Sequence, residues 1–262
     1  MKKKYIESFN EELTYEYDEI SNQVFPLYEE SQKIIKQPII DYIKKNNKQN
    51  NIKILESGYG TLQTTKNILE VSPNICVEGY DDSVEMFKQS VESLKKMAHE
   101  KGEQIKVGSN SAAYYTKDGF LRILIHCMDI EKGLIQTENN TFDGFASGYM
   151  LHNLPSEQRK KIFKQLARVI KSGGFFVNSD KYAHDNDVEH RENYDKQIKL
   201  FDLCDKMGYP KMKEEWIEHY IKDEKIKFTE KEQLKMFQKY GFVKGKKLFR
   251  EMMHATYVAE KK

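Results

Sequence analysis

The sequence has few cysteines and no long apolar run. Three cysteines occur among 262 residues, at Cys76, Cys127 and Cys204, and no two of them are spaced as C-x-x-C. Neither a disulfide framework nor a cysteine-based zinc site is therefore expected, and a reducing cytoplasm is the predicted location. No stretch approaches the ~20 apolar residues of a membrane span, and the lysines after Met1 lack the apolar run of a signal peptide. No membrane association is predicted.

Arginine is also scarce, because only five of the 43 basic residues are arginines. Arginine is the side chain best shaped to grip phosphates and base edges. The 41 acidic residues leave a formal net charge of only +2. This balance disfavours a nucleic-acid partner, although a local basic patch stays open, and it favours a small-molecule substrate. The sequence also leaves a homodimer open.

Short apolar runs alternate with helical patterns between residues 51 and 181. This alternation predicts a mostly parallel, doubly wound α/β sheet. Residues 100–119 are polar and are interpreted as a loop or a small hairpin. Ser156 is predicted to cap a helix, and Gly173 and Gly174 to end it. The predicted strands are Lys53–Glu56, Ile75–Tyr80, Leu121–Cys127, Phe142–Ser147 and Phe175–Asn178, and the predicted helices are Gln63–Val71, Asp82–Met97 and Ser156–Ile170.

Helical segments flank this predicted core on both sides. Residues 5–45 form an amphipathic pattern interrupted by Pro26 and Pro38, which indicates two or three helices. They are either a packing layer or a lid in which Tyr28 closes over a ligand. Lys247–Ala259 is interpreted as one last strand. The predicted units are a helical lid (1–50), a ligand-binding core (51–181), a helical substrate cap (182–240) and a returning strand (241–262).

Acidic residues follow the predicted strands at or near their carboxyl ends. They are Glu56, Asp81 with Asp82, Asp129 and, slightly earlier in its strand, Asp143. In an open α/β sheet the ligand lies outside those strand ends. Gly58 and Gly60 form a turn that lets a ligand approach bare backbone at the next helix. Because an acidic residue precedes this turn and a third glycine is missing, the pattern favours an adenosine with an ammonium group over a pyrophosphate.

Residues 52–178 resemble the class I S-adenosylmethionine-dependent methyltransferases. The resemblance rests on Ile54-Leu55-Glu56-Ser57-Gly58-Tyr59-Gly60, Val77-Glu78-Gly79-Tyr80-Asp81-Asp82-Ser83, Cys127-Met128-Asp129-Ile130, Phe142-Asp143-Gly144-Phe145-Ala146-Ser147-Gly148-Tyr149-Met150-Leu151-His152-Asn153-Leu154 and the run from Leu166 to Gly174. It implies a Rossmann-like fold, S-adenosyl-L-methionine as cofactor and S-adenosyl-L-homocysteine as product. Leu62 stands where the family has a third glycine, and Ser172 where it has proline.

The flanks are similar to the carboxy-S-adenosylmethionine synthases of tRNA wobble-uridine modification. Phe25-Pro26-Leu27-Tyr28 matches their N-terminal tyrosine motif. Those enzymes have asparagine at the position of Gly148 and a C-terminal arginine that has no counterpart near Lys225, so ordinary methyl transfer is favoured. Besides Glu56, which is expected beside an ammonium group, the cofactor contacts implied by resemblance are Tyr28, Gly58, Tyr59, Gly60, Asp81, Asp82, Asp129, Ile130 and Gly148.

The reaction predicted first is methyl transfer to a small molecule. The alternatives are an RNA-modifying or carboxy-S-adenosylmethionine synthase-like enzyme and a non-catalytic cofactor-binding module. His152 is the candidate general base, because histidine titrates in the useful range, and Tyr149 is the candidate pocket residue. Residues 184–190 have a metal-binding composition without ligand spacing, so no metal is predicted. Trp216 and Tyr220 are interpreted either as core or as a stacking surface for an aromatic substrate.

Overall fold

A computed structural model describes residues 17–25, 27–48 and 51–262. The helices are α1 (Tyr17–Val24), α2 (Tyr28–Ile34), α3 (Lys36–Lys45), α4 (Gln63–Leu69), α5 (Val84–Lys101), α6 (Ile130–Gln136), α7 (Ser156–Val169), α8 (Asp187–Leu200), α9 (Asp202–Met207), α10 (Pro210–Asp223) and α11 (Glu230–Lys239). The strands are β1 (Ile52–Ser57), β2 (Ile75–Asp81), β3 (Gln104–Val107), β4 (Ser111–Tyr115), β5 (Leu121–Cys127), β6 (Phe142–Gly148), β7 (Ile170–Lys181), β8 (Phe242–Glu251) and β9 (His254–Lys261), and a short 3-10 turn covers Leu151–Asn153. The start of the helical region predicted from residue 5 lies outside the described residues, and so does Pro26.

The described strands form one nine-stranded sheet with the order β3-β4-β5-β2-β1-β6-β7-β9-β8. The five central strands, from β5 to β7, are parallel, whereas β3 and β4 on one edge and β8 and β9 on the other are antiparallel. The predicted α/β class and mostly parallel sheet are therefore confirmed, and residues 100–119 contain the small hairpin. Parallel pairing brings the carboxyl ends of the central strands to one edge of the sheet.

Successive residues of the central strands bury their side chains on opposite faces of the sheet, as the two-residue period of a strand requires. Ile54 packs in a cluster with Ile39 of α3 and Ile68 of α4. The next residue, Leu55, packs in the opposite cluster with Phe163 of α7. Each such side chain, when fully buried, contributes about 1.5–3 kcal/mol. Within the described part of the chain, no helix has both the length and the apolar character needed to span a lipid bilayer.

Another apolar cluster joins the N-terminal helices to the helices that follow β7. Phe25, next to α1, lies with its ring centroid 5.0 Å from Trp216 and 5.9 Å from Phe201. Trp216 is 4% exposed and Tyr220 is 3% exposed. Of the two interpretations of Trp216 and Tyr220, the structure supports core packing, because both rings are covered by protein.

The prediction of one last strand over Lys247–Ala259 is wrong. The chain turns at Met252, which has a φ of +48°, and Glu251 pairs with His254 in an antiparallel hairpin of β8 and β9. Neither glycine nor proline marks this turn, so the sequence gave no signal for a break.

The boundaries of the long helix before β7 also differ from the prediction. Pro155, not Ser156, is the residue at its N-cap, and the Ser156 hydroxyl donates to Glu232 instead. The helix ends at Val169 and passes directly into β7, so Gly173 and Gly174 lie inside a strand. A side chain at Gly174 would lie 2.7 Å from the Asp143 carbonyl oxygen, which explains why this strand position requires glycine.

Asp143 does not lie at the ligand end of the sheet. It is the second residue of β6, so it lies near the opposite edge. Its carboxylate accepts hydrogen bonds from the Tyr42 hydroxyl at 2.8 Å and the Lys53 amide at 2.9 Å, and from the ammonium group of Lys48. These contacts lower the pKa of Asp143 despite its burial, so the carboxylate stabilises the packing of α3 on the sheet.

Candidate active site

A cleft opens at the carboxyl ends of β1, β2, β5 and β6. It encloses about 960 Å³ of space, part of which is open to solvent. The structure brings to its walls nine of the ten residues predicted to contact the cofactor: Tyr28, Gly58, Tyr59, Gly60, Asp81, Asp82, Asp129, Ile130 and Gly148. Glu56 is the exception.

The glycine turn after β1 forms one wall of this cleft. Gly58 and Gly60 have φ angles of +68° and +47°, which side chains rarely adopt. A Cβ atom on Gly58 would lie 2.7 Å from Met150, whereas one on Gly60 would meet nothing within 4 Å. Gly58 is therefore required by packing, and Gly60 leaves open space where a ligand can approach the backbone.

Asp81 holds the glycine turn in place. Its Oδ2 atom accepts a hydrogen bond from the Gly60 amide at 3.0 Å, and its Oδ1 atom accepts one from the Ser83 amide at 3.0 Å. Each carboxylate oxygen has a second lone pair, so two acceptor positions remain for ligand hydroxyls. Ser83 in turn caps α5 by accepting a hydrogen bond from the Met86 amide.

Three carboxylates share this end of the cleft. Partial desolvation, followed by the charges of Asp81 and Asp129, raises the pKa of Asp82 to about 6 although its side chain still contacts solvent. Asp129 also caps α6 by accepting a hydrogen bond from the Glu131 amide at 2.7 Å. Because no lysine, arginine or histidine is among the described residues of the wall, the cleft favours ligands that bring hydrogen-bond donors and positive charge.

Glu56 lies behind the glycine turn and not beside the ligand space. It is fully buried, and its Oε2 atom accepts a hydrogen bond from the Thr65 hydroxyl at 2.6 Å. Burial raises the pKa of Glu56 to about 8. The expectation that Glu56 contacts an ammonium group directly is therefore not met, because the side chain packs under α4 and supports the turn from beneath.

His152 does not reach the cleft either. The 3-10 turn after β6 directs its side chain into a smaller cavity, where Nδ1 lies 2.5 Å from Asp180 and Nε2 lies 3.3 Å from Nε2 of His219. Burial lowers the pKa of His152. The next residue in sequence, Asn153, lines the cleft instead. The sequence could not show this, because partners such as Asp180 and His219 are distant from His152 along the chain.

Tyr149 does line the cleft and has an unusual backbone. Its φ of +55° places a bulky residue in the left-handed region, a strained arrangement that concentrates at functional sites. Its hydroxyl lies 3.1 Å from both Ser31 Oγ and His254 Nδ1. His254 was not found from the sequence, because it lies 105 residues from Tyr149 in the antiparallel edge of the sheet.

The hydrogen bonds around His254 fix the direction in which Tyr149 donates its proton. The Gln197 amide nitrogen donates to the Val24 carbonyl, so the Gln197 oxygen, 3.1 Å from His254 Nε2, must accept. Burial lowers the pKa of His254 to about 3, so the imidazole is neutral and carries its single proton on Nε2. Nδ1 is therefore an acceptor, and the Tyr149 hydroxyl donates to it.

Residues 184–190, considered above as a metal-binding stretch, do not converge on one point. His184 pairs with Glu189 at 3.0 Å and with the Met252 carbonyl, whereas His190 pairs with Glu224 at 2.8 Å.

The cleft residues that the sequence did not single out include Gln32, which accepts a hydrogen bond from the Thr64 hydroxyl at 2.6 Å. A Cβ atom at Gly148 would clash with Thr64, which is why that position is glycine.

Comparison with known proteins identifies the fold that carries this cleft. Residues 55–178 match the family model described as a methyltransferase domain. This match covers 124 of the 262 residues, and over them the chain is similar to methyltransferases. Its overall fold is similar to that of a SAM-dependent methyltransferase from Aquifex aeolicus, with a TM-score of 0.53, 14% identity, and coverage of 96% of this chain and 98% of the other.

Two curated relatives are named carboxy-S-adenosyl-L-methionine synthase. The protein from Campylobacter jejuni is 27% identical over 136 residues, which are 50% of this chain and 54% of the relative. This chain thus spans about half the length of that relative. The protein from Nautilia profundicola is 22% identical over 253 residues, covering 97% of this chain and 94% of the relative. These comparisons support S-adenosylmethionine as the cofactor.

Proposed function

We propose that the protein transfers a methyl group from S-adenosylmethionine to a small-molecule acceptor bound in the cleft between the glycine turn and Tyr149. The observation that carries this proposal is the convergence of Asp81, Asp82 and Asp129 with the bare backbone of Gly60 in one cleft. Carboxylates accept the donors that a ribose and an adenine amine present, and their charge attracts a sulfonium cation.

The proposed cofactor orientation follows from which residues carry which groups. Asp81 and Asp82 take the ribose hydroxyls, and Asp129 with Ile130 takes the adenine. Gly58 and Gly60 give the methionine end access to backbone amides, and Tyr28, Tyr59 and Gly148 complete the wall. These roles are assigned from the chemistry of side chains that line one cleft.

The cofactor supplies an activated methyl group, so the protein has to align the acceptor and exclude water. Tyr28 and Tyr149 stand together at the cleft, with ring centroids 5.0 Å apart. Tyr28 belongs to α2, which supports the proposal that the N-terminal helices act as a lid. Tyr149 acts as a positioning residue: its hydroxyl donates to the neutral Nδ1 atom of His254, 3.1 Å away, and this contact holds its ring against the bound acceptor. The acceptor releases its proton to solvent.

The charge of the cleft narrows the acceptor class. An anionic acceptor would face three carboxylates without a basic side chain among the described wall residues. The proposal is therefore an uncharged or cationic small molecule. A carboxylated form of the cofactor, which the names of the relatives make the second candidate, would meet the same repulsion.

The acceptor class is tested by incubating the full chain with methyl-tritiated S-adenosylmethionine and either pooled small metabolites or total RNA. Label should enter the metabolite fraction, and enter it more readily from its cationic and neutral subfractions than from the anionic one. Label in RNA would support the RNA-modifying alternative. Label that stays on the cofactor would support a binding module, and a cofactor heavier by a carboxylate in mass spectrometry would support the synthase.

The hydroxyl contacts of Tyr149 predict that Tyr149→Phe lowers kcat about 10–100-fold while the Kd for S-adenosylmethionine changes less than about twofold. The ring loses the hydrogen bonds that fix it to Ser31 and His254, and a small misplacement of a positioning group costs rate without costing cofactor affinity. Turnover with the labelled acceptor and calorimetry measure the two quantities. Tyr115→Phe, on the β4 edge hairpin, is the matched control, and an unchanged kcat in Tyr149→Phe would return Tyr149 to a packing role.

A further inference from the structure

A second cavity lies between the sheet and α10. Its walls include His152 and Asp223, and His219 touches both of these side chains. His152 lies in the 3-10 turn after β6, whereas His219 and Asp223 lie four residues apart on one face of α10. All three side chains are buried. Buried charged groups are normally paired with one another or coordinate a metal ion.

The three inner atoms form a triangle of the size that a metal ion needs. His152 Nε2 lies 3.3 Å from His219 Nε2, which lies 3.1 Å from Asp223 Oδ2, and the third side is 3.9 Å. A point equidistant from three such corners lies about 2.0 Å from each of them. Zinc–nitrogen and zinc–oxygen bonds are about 2.0–2.2 Å, so these atoms are already spaced as ligands.

The surroundings of His152 orient it as a metal ligand. Its Nδ1 atom donates to Asp180 Oδ1 at 2.5 Å, which leaves the lone pair of Nε2 directed into the triangle. Asp180 is fixed in turn by the Asn178 side-chain amide at 3.0 Å and the Lys181 backbone amide at 2.9 Å. A carboxylate behind a histidine is the usual outer contact of a protein metal site.

We propose that this cavity binds one divalent transition-metal ion of the zinc class through His152 Nε2, His219 Nε2 and Asp223 Oδ2. Two imidazoles and a carboxylate suit ions of this class, whereas calcium and magnesium prefer oxygen ligands alone. The ion joins α10 to the turn after β6, and so it fixes the helices that follow β7 against the sheet. The sequence did not predict a metal, because the ligands come from segments 67 residues apart and not from residues 184–190.

Lys181 is the competitor for this position. Its ammonium group forms an ion pair with Asp223 and lies 3.8 Å from the centroid of the Tyr220 ring. An arriving ion displaces that ammonium group from Asp223, so Lys181 sets the affinity of the site. Removing its charge while keeping its apolar length should therefore strengthen metal binding.

The proposal is tested by titrating the chelator-treated full chain with cobalt(II), followed by zinc displacement and elemental analysis. One equivalent should bind, with a visible absorption band and a higher melting temperature. His219→Ala should weaken binding more than about 100-fold and Asp180→Asn about 10–100-fold, while Lys181→Met should bind more tightly than the wild type. His99→Ala, which removes an exposed histidine of α5, is the matched control.

Three outcomes would overturn the proposal. The first is that the wild type binds no ion. The second is that His219→Ala and the more conservative variant His219→Gln both bind the ion as tightly as the wild type does, which would place the ion elsewhere. The third is that only Lys181→Met binds an ion, which would make the lysine–aspartate pair the native occupant.

Discussion

Asp81→Ala is expected to weaken S-adenosylmethionine binding about 10–100-fold. A charge-assisted hydrogen bond from a partly shielded carboxylate is worth about 1.5–3 kcal/mol, and each 1.4 kcal/mol changes Kd tenfold. The substitution removes the proposed ribose contact and also the two backbone hydrogen bonds that hold Gly60 and Ser83. Isothermal titration calorimetry with S-adenosylmethionine and with S-adenosylhomocysteine measures the loss.

The design separates the two roles of Asp81. Asp82→Ala removes the neighbouring carboxylate. The amides of Gly60 and Ser83 donate to Asp81 and not to Asp82, so a loss of affinity in this variant reports ligand contact alone. Asp118→Ala, in the exposed turn before β5, controls for the loss of one negative charge. Melting curves confirm that each variant is folded. If Asp81→Ala and Asp82→Ala bind the cofactor as tightly as Asp118→Ala, the carboxylates do not hold it.

The central strands and the glycine turn could be predicted because their signals are local. β5 coincides with its prediction, and the other central strands differ mainly at their ends. A four- to six-residue apolar run bounded by turn residues is typical of a buried strand. Parallel strands then align their carboxyl ends, which is why the sequence predicts that Asp81, Asp82 and Asp129 share one cleft.

The direction in which a side chain points past the end of a strand could not be predicted in the same way. His152 and Tyr149 are three residues apart, yet His152 faces the second cavity beside α10 and Tyr149 faces the cleft. The left-handed backbone of Tyr149 and the 3-10 turn after it decide this, and the left-handed position is occupied by a tyrosine and not by a glycine that would reveal it. His254 reaches the Tyr149 hydroxyl only because β9 pairs with β7, a contact between distant segments.

Glu56→Gln is expected to gain stability relative to the wild type as the pH rises. The difference between their free energies of unfolding should be roughly 3 kcal/mol larger at pH 8 than at pH 5. Burial raises the pKa of Glu56 from an ordinary value of 4.5 to about 8 in the folded protein. Between these two values the folded chain retains a proton that the unfolded chain releases, so wild-type stability falls as pH rises through that window. Glutamine has nearly the shape of the protonated carboxyl group and does not titrate, so the variant avoids this loss.

Urea unfolding of Glu56→Gln and the wild type at pH 5, 6, 7 and 8 measures the difference between their free energies of unfolding. The difference should grow steadily with pH. Glu92→Gln, at an exposed position of α5, is the matched control, because it removes a carboxylate that folding does not bury. Parallel curves for Glu56→Gln and Glu92→Gln would mean that Glu56 is ionised in the folded protein, and the support beneath the glycine turn would then be a charged group.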